Sequence, residues 1–221
     1  MISIASMTRE ELRDYDARAI AGGIPGIVLM ESAGRGATDL LVQQGITGSV
    51  GVVVGRGNNG GDGFVIARHL VDRGYRAHIE LLFEPKALRG DALLAYQGAS
   101  YLDVPIMSFD PVRSAERLAE CEWIVDAILG TGAVGDPKPP VDEAIRIINR
   151  TGKKVLAVDL PSGLDANTGW ANEPTVRATR TASFVAPKRG FETATSTTWT
   201  GPVHVVSIGA GPPQRASLQT K

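Results

Sequence analysis

What is scarce in these 221 residues narrows the field first. There is one cysteine, Cys121, so no internal disulfide can form. With no histidine beside it to activate the thiol, it reads as a small buried hydrophobe. The three histidines, His69, His78 and His204, fall in an expected helix, a strand and the last strand, and read as structural. An excess of one charge is also missing: 23 basic against 24 acidic residues give a formal net charge of −1. No long-range field therefore favours nucleic acid or an acidic membrane surface. No run of about 18 apolar residues occurs that would suit a membrane span. Met1-Ile-Ser-Ile-Ala-Ser-Met7 lacks a basic start followed by an apolar stretch, so the cytoplasm is the expected location.

What is present suits one globular core. The chain is 43% hydrophobic and of ordinary length for a single α/β domain, read as residues 1–210 with a disordered tail at 211–221. Thr8-Arg-Glu-Glu11 has capping-box spacing and predicts a helix running toward Gly22-Gly23. After the Pro25-Gly26 break, Ile27, Leu29, Met30, Ala33, Ala37, Leu40 and Leu41 recur near a helical period, with Gly45 as the stop. From Ser49 short β-branched runs alternate with amphipathic stretches, the pattern of β-α-β units on a mostly parallel sheet. Strands are expected at 50–54, 77–83, 104–108, 123–128, 155–158, 182–185 and 203–208, and helices at 63–73, 88–98, 112–120 and 141–150. Beyond Pro187 the helical pattern stops, 193–198 reads as a polar connection, and the last strand is expected to lie antiparallel at the sheet edge.

Parallel sheets bind ligands outside the carboxyl ends of their strands, and three such ends are unusual here. The first runs into Gly55-Arg-Gly-Asn-Asn-Gly-Gly-Asp-Gly63. Its Gly55, Gly57 and Gly60 satisfy a dinucleotide-loop pattern, whose glycines let a pyrophosphate approach the backbone. The adjacent Asn58 and Asn59 fit an ordinary dehydrogenase loop poorly, as does Asp62 at the expected helix start, where its charge would repel a phosphate; the plain alternative makes Asp62 an N-cap and the asparagines turn formers. The second end carries Asp126, an acid on an apolar strand, followed by Leu129-Gly-Thr-Gly132 and Ala133-Val-Gly-Asp-Pro-Lys-Pro-Pro140. Such a charge needs a partner, a metal ion or a task. The third is Asp159-Leu-Pro-Ser-Gly-Leu-Asp165. Ser162 lacks the G-x-S-x-G elbow and the histidine base of a hydrolase nucleophile. Converging carboxylates, amides and a hydroxyl favour a hard cation held through oxygen over zinc, copper or iron.

These segments resemble the YjeF N-terminal domain family, which includes the NAD(P)HX epimerases. The resemblance rests on Asn58-Asn-Gly-Gly-Asp-Gly63 with Ala67-Arg-His-Leu70, on Asp126 to Gly132, and on Asp159 to Asp165 with Asn167-Thr-Gly169. It extends to Ala186-Pro-Lys188 and to the opening Asp16-Ala-Arg-Ala-Ile20 and Leu29-Met-Glu-Ser-Ala-Gly34. It implies a Rossmann-like three-layer α/β/α sandwich with two leading helices, and an isomerase that interconverts the R and S epimers of hydrated NADH or NADPH. It also implies a potassium ion on Asn59, Asp126 and Ser162, and substrate contacts from Asn58, Asn59, Gly60, Gly61, Asp62, Gly130, Thr131, Gly132, Ala133, Val134, Gly135, Asp136 and Asp159. Lys86 matches a lysine proposed to act with the acid at Asp126, which is either a proton carrier or chiefly a potassium ligand. Arg56 stands where the family usually has proline, and 133–138 departs from the common form of its loop. A separate dehydratase and a homodimer, with Ile24, Ile27 and Met30 as candidate contacts, complete what the resemblance implies. Two rival readings are a non-catalytic scaffold of the same family and an NAD-dependent dehydrogenase using Glu80 or Glu84 for the ribose.

Overall fold

The computed structural model describes residues 4–212, so the expected tail from 213 onward lies outside the described residues. Its elements are α1 (Arg9–Ala21), α2 (Gly26–Val42), β1 (Val50–Val54), α3 (Asn58–Asp72), β2 (Ala77–Leu81), α4 (Gly90–Tyr101) and β3 (Ile106–Ser108). There follow α5 (Pro111–Ala119), β4 (Trp123–Ala127), α6 (Val141–Thr151), β5 (Lys154–Val158), β6 (Arg180–Phe184), α7 (Thr197–Thr200) and β7 (Val203–Val206). The seven strands form one sheet in the order β3-β2-β1-β4-β5-β6-β7. The chain thus steps outward from β1 on one side, then returns to β4 and steps outward on the other. The reversal makes a crevice beyond the carboxyl ends of β1 and β4. Register keeps those ends level, with Val54 beside Ala127 and Asp126 beside Ala157.

Two hydrophobic clusters flank the sheet: one takes side chains from α1, α2, α3 and α4, the other from α5 and α6. This is the expected three-layer sandwich with its two leading helices. The capping box at Thr8 forms as expected, its hydroxyl accepting from the Glu11 amide and the Glu11 carboxylate accepting from the Thr8 amide. Cys121 is buried, and burial raises its thiol. Among the described residues no helix is long and apolar enough to cross a membrane.

Two expectations are corrected. Strand β7 pairs parallel with β6, Thr181 beside Val203 through Phe184 beside Val206. The connection between them carries a 3-10 turn at Arg189–Glu192 and α7, enough chain to return to the starting end of the sheet, as a parallel neighbour requires. Helix α3 starts at Asn58 with Gly57 as its cap, not at Gly63. Asp62 is therefore not the cap but sits within the helix. Packing overrides the weak helix propensity of the glycines: a Cβ at Gly60 would lie 1.9 Å from the Gly55 carbonyl oxygen, and one at Gly63 would lie 2.6 Å from the Ala127 Cβ. These glycines let α3 lie directly on β1 and β4.

Candidate active site

The carboxyl end of β4 holds Asp126, wholly buried. Its Oδ1 accepts from the Ser162 hydroxyl at 2.6 Å and from the Ile128 amide at 3.3 Å, and its Oδ2 accepts from the Ser162 amide at 2.8 Å. Burial pushes the carboxyl up to about 6, against the pull of those hydrogen bonds. Ser162 Oγ also accepts from the Leu129 amide at 2.9 Å, while the Leu129 carbonyl accepts from Asn59 Nδ2 at 3.0 Å. Asn59, Asp126 and Ser162, on three different segments, are thus joined through the backbone of one residue, Leu129. Asn59 Oδ1 is buried without a hydrogen-bond partner. A buried amide oxygen left bare is costly.

Above this floor lies a cavity of about 620 Å³, a volume within the range of small-molecule sites. The first turn of α3 forms part of its wall through Gly57, Asn58 and Asn59. The leading amides of that turn have no intrahelical acceptors, so the helix end favours an anion. Gly130, Thr131, Gly132 and Ala133 contribute from the loop after β4, and Asp159 from the end of β5. Arg9 on α1 ties two loops together: its guanidinium donates to the carbonyls of Thr131 and Ala133 and pairs with Asp165 at 2.8 Å. Asp159 and Val185, which both line the cavity, have positive φ, at 69° and 67°. For a β-branched valine this is a strained backbone of the kind that gathers at functional sites.

The cavity's charged groups are unevenly partnered. Lys188 is only 1% exposed. Its ammonium pairs with Asp159 Oδ1 and donates to the Phe184 carbonyl at 3.0 Å. Asp62 is 8% exposed, and its carboxyl makes no hydrogen bond or ion pair with another described residue. Burial raises it well above the usual range, and the negative charges of Asp159 and Asp16 add to the effect. The direction of that shift favours the uncharged carboxyl, which weakens the repulsion of a phosphate that the sequence alone suggested. Asp16 stands at the rim on α1; loss of solvent, then repulsion from Asp159, raises it to about 6 against the pull of Lys188. Arg13 and Arg56 also face the cavity from its rim.

The three loops converge as the sequence reading expected, with departures. Asp126 and Ser162 lie beneath the cavity rather than on its wall, Gly60 and Gly61 are helix-packing positions, and Val134, Gly135 and Asp136 turn away to the surface. Asp136 instead accepts from the Glu173 amide. Lys86 is exposed on a short 3-10 turn outside the cavity. Met30 lines the cavity and is buried, while Ile24 and Ile27 pack against the core. The outward apolar side chains of the opening helices are Ile20 and Val28. Glu80 is level with Asp126 near the carboxyl end of β2 but does not line the cavity. It is fully buried in β2, where burial raises the carboxyl but hydrogen bonds from Arg117 and Ser114 prevail and hold it at about 2. That removes one of the two candidates for a dehydrogenase's ribose acid, and the other, Glu84, which caps the surface turn, does not line the cavity. Sequence reasoning did not place Arg9, Asp16 or Lys188 in the site. Lys188 carried a signal, the Ala186-Pro-Lys188 motif, but nothing in it gave the direction of the side chain.

Residues 26–190 match the family described as YjeF-related protein N-terminus. An NAD(P)H-hydrate epimerase of Pirellula staleyi is 41% identical over 206 residues, covering 91% of each chain. One from Rhodopirellula baltica is 38% identical over 214 residues, 95% of this chain and 86% of the relative. A bifunctional NAD(P)H-hydrate repair enzyme of Moorella thermoacetica is 38% identical over 84% of this chain, which spans 37% of that relative. Among solved structures, the crystal structure of yeast YNL200c superposes with a TM-score of 0.77 at 26% identity, covering 85% of this chain and 83% of the yeast chain.

Proposed function

The chain belongs to the family of the YjeF-related protein N-terminus, and from that premise and the crevice we propose that it is an NAD(P)H-hydrate epimerase. This isomerase interconverts the R and S forms of NADH or NADPH that have taken up water at C6 of the nicotinamide. The observation that carries the reading is 41% identity over nine-tenths of both chains with an epimerase, in a fold whose three matching loops meet over one cavity. A scaffold would have no use for a bare buried amide oxygen or for strained backbone at Asp159 and Val185.

Within the cavity, the free amides of the first α3 turn suit the substrate pyrophosphate. The backbone of Gly130 to Ala133, held by Arg9, walls the nicotinamide end, and Asp159 is placed to accept from substrate hydroxyls. The donor set at the floor fits a potassium ion: Asn59 Oδ1 is unpartnered, Asp126 and Ser162 supply oxygen, and no group of three or more His, Cys, Asp or Glu side chains among the described residues is disposed to hold a metal. Asn59, Asp126 and Ser162 would hold the ion, which would supply positive charge beneath the substrate. Of the two roles open to Asp126, we assign it the ligand role, because its oxygens are engaged by Ser162 and Ile128 and it does not reach the cavity wall. The cytoplasm, a homodimer and a separate dehydratase that consumes one epimer complete the proposal. Light scattering tests the dimer. The function is tested by adding the protein to pure R hydrate and following the S form by chiral chromatography, in potassium and in a larger cation. Acceleration in potassium that weakens on exchange supports both parts, and none by a folded sample rejects the function.

A further inference from the structure

An inversion at C6 that proceeds by loss and return of water needs a proton delivered to the departing hydroxyl. Neither sequence candidate can deliver it directly: Asp126 is sealed under the floor and Lys86 is on the outer surface. Asp62 meets the requirement. It projects from α3 into the cavity wall, is 92% buried by its 8% exposure, and has no partner among the described residues. Asp159 enters the same cavity from the end of β5, ion-paired with the buried Lys188. Two carboxyl groups thus line one cavity from different elements, one bare and one paired with a cation. The rim carboxyl Asp16 is the third acid facing them.

Building on the epimerase reading, we propose that Asp62 is the general acid of the reaction and that Asp159 takes up the proton of the incoming water. The Asp62 carboxyl gives its proton to the C6 oxygen as the C6–O bond breaks. The ring nitrogen's lone pair forms the C6=N1 bond, and one water leaves. A second water adds to the other face of the planar cation, the C=N electron pair returns to nitrogen, and the surplus proton passes to Asp159. Net oxidation state is unchanged, and the proton returns from Asp159 to Asp62 through cavity water before the next turnover. Burial and the neighbouring acids raise the Asp62 carboxyl and so favour its proton-bearing form, which agrees with this direction of transfer. An unpaired acid held in the cavity wall costs stability, which a catalytic task accounts for.

The experiment is a comparison of wild type with Asp62→Asn. The expected result is a kcat lower by about 10²-fold or more, the range of one general acid. The variant should also have a melting temperature equal to or above that of wild type, and protection against thermal unfolding by NADHX should be retained. In ¹⁸O-labelled water, wild type should take up one solvent oxygen at C6 for each inversion. Near-normal kcat in Asp62→Asn overturns the proposal, as does a loss of activity that disappears with substrate protection, and so does inversion that keeps the original oxygen. Absence of any acceleration by wild type would instead reject the epimerase reading itself.

Discussion

Replacing Lys188 by methionine removes the buried ammonium paired with Asp159 while keeping much of the side chain's volume. In the native fold this cation pairs with Asp159 Oδ1 and donates to the Phe184 carbonyl at 3.0 Å, with the Ala186 carbonyl at 3.5 Å. Breaking a buried pair by deleting one partner costs about 3–5 kcal/mol when the remaining charge is fully enclosed. The Asp159 side chain keeps 14% of its surface open to the cavity, so part of that charge can be resolvated, and we expect a loss near the lower end, about 3 kcal/mol. For a domain of this length that corresponds to a melting temperature lower by roughly 6–12 °C. Urea denaturation at neutral pH measures the loss directly. If the loss comes from the stranded carboxylate, adding Asp159→Asn to the Lys188→Met protein should restore about half of it, since charges in direct contact couple by up to about 3 kcal/mol. A loss below about 1 kcal/mol, the ordinary scale of a surface substitution's upper range, would refute the reasoning. So would a double variant no more stable than the single one.

Other expectations follow from the same geometry. Glu80, held at about 2 against an ordinary 4.5, lends stability that is fully present above pH 4.5 and is lost as pH falls toward 2. Glu80→Gln should flatten that part of an acid-unfolding curve, and an unchanged curve would contradict the role of the Arg117 pair. Gly60→Ala should destabilise by about 3 kcal/mol or more, or fail to fold, because its Cβ meets backbone at 1.9 Å. Gly57→Ala, whose Cβ meets open space, should lower the melting temperature only slightly, since alanine caps a helix less well than glycine, while raising KM if substrate phosphate approaches that turn; thermal scans and initial rates separate the two. Lys86→Ala should leave kcat unchanged, since the residue is exposed outside the cavity, and a large drop would return it to the mechanism.

Much of the fold was legible because its determinants are local and periodic. The capping box at Thr8, the β-branched runs and the strand-end acids Asp126 and Asp159 place the helices, the strands and the crevice. The parts that were not legible depend on contacts between distant segments. The direction of β7 depends on where the 185–202 connection leads, and no local pattern distinguishes parallel from antiparallel at an edge. The start of α3 was misplaced because Asn58 to Gly63 has poor intrinsic helicity, and the missing side chains that make it poor are what allow α3 to rest on β1 and β4. The same displacement turns Asp62 from a cap into a buried acid. Lys188 and Arg9 were invisible as site residues because an ordinary surface lysine and a helix-start arginine look the same in sequence. Only the folded chain brings Lys188 under Asp159 and lays Arg9 across the Thr131 and Ala133 carbonyls.

The most direct test is a pair of progress curves, one begun with pure R and one with pure S hydrate of NADH, followed by chiral chromatography with and without the protein. An epimerase built on this crevice should bring both curves to the same final ratio that the uncatalysed reaction reaches, far sooner and with no loss of total hydrate. Curves that match the uncatalysed ones, or that consume one epimer without forming the other, would contradict it.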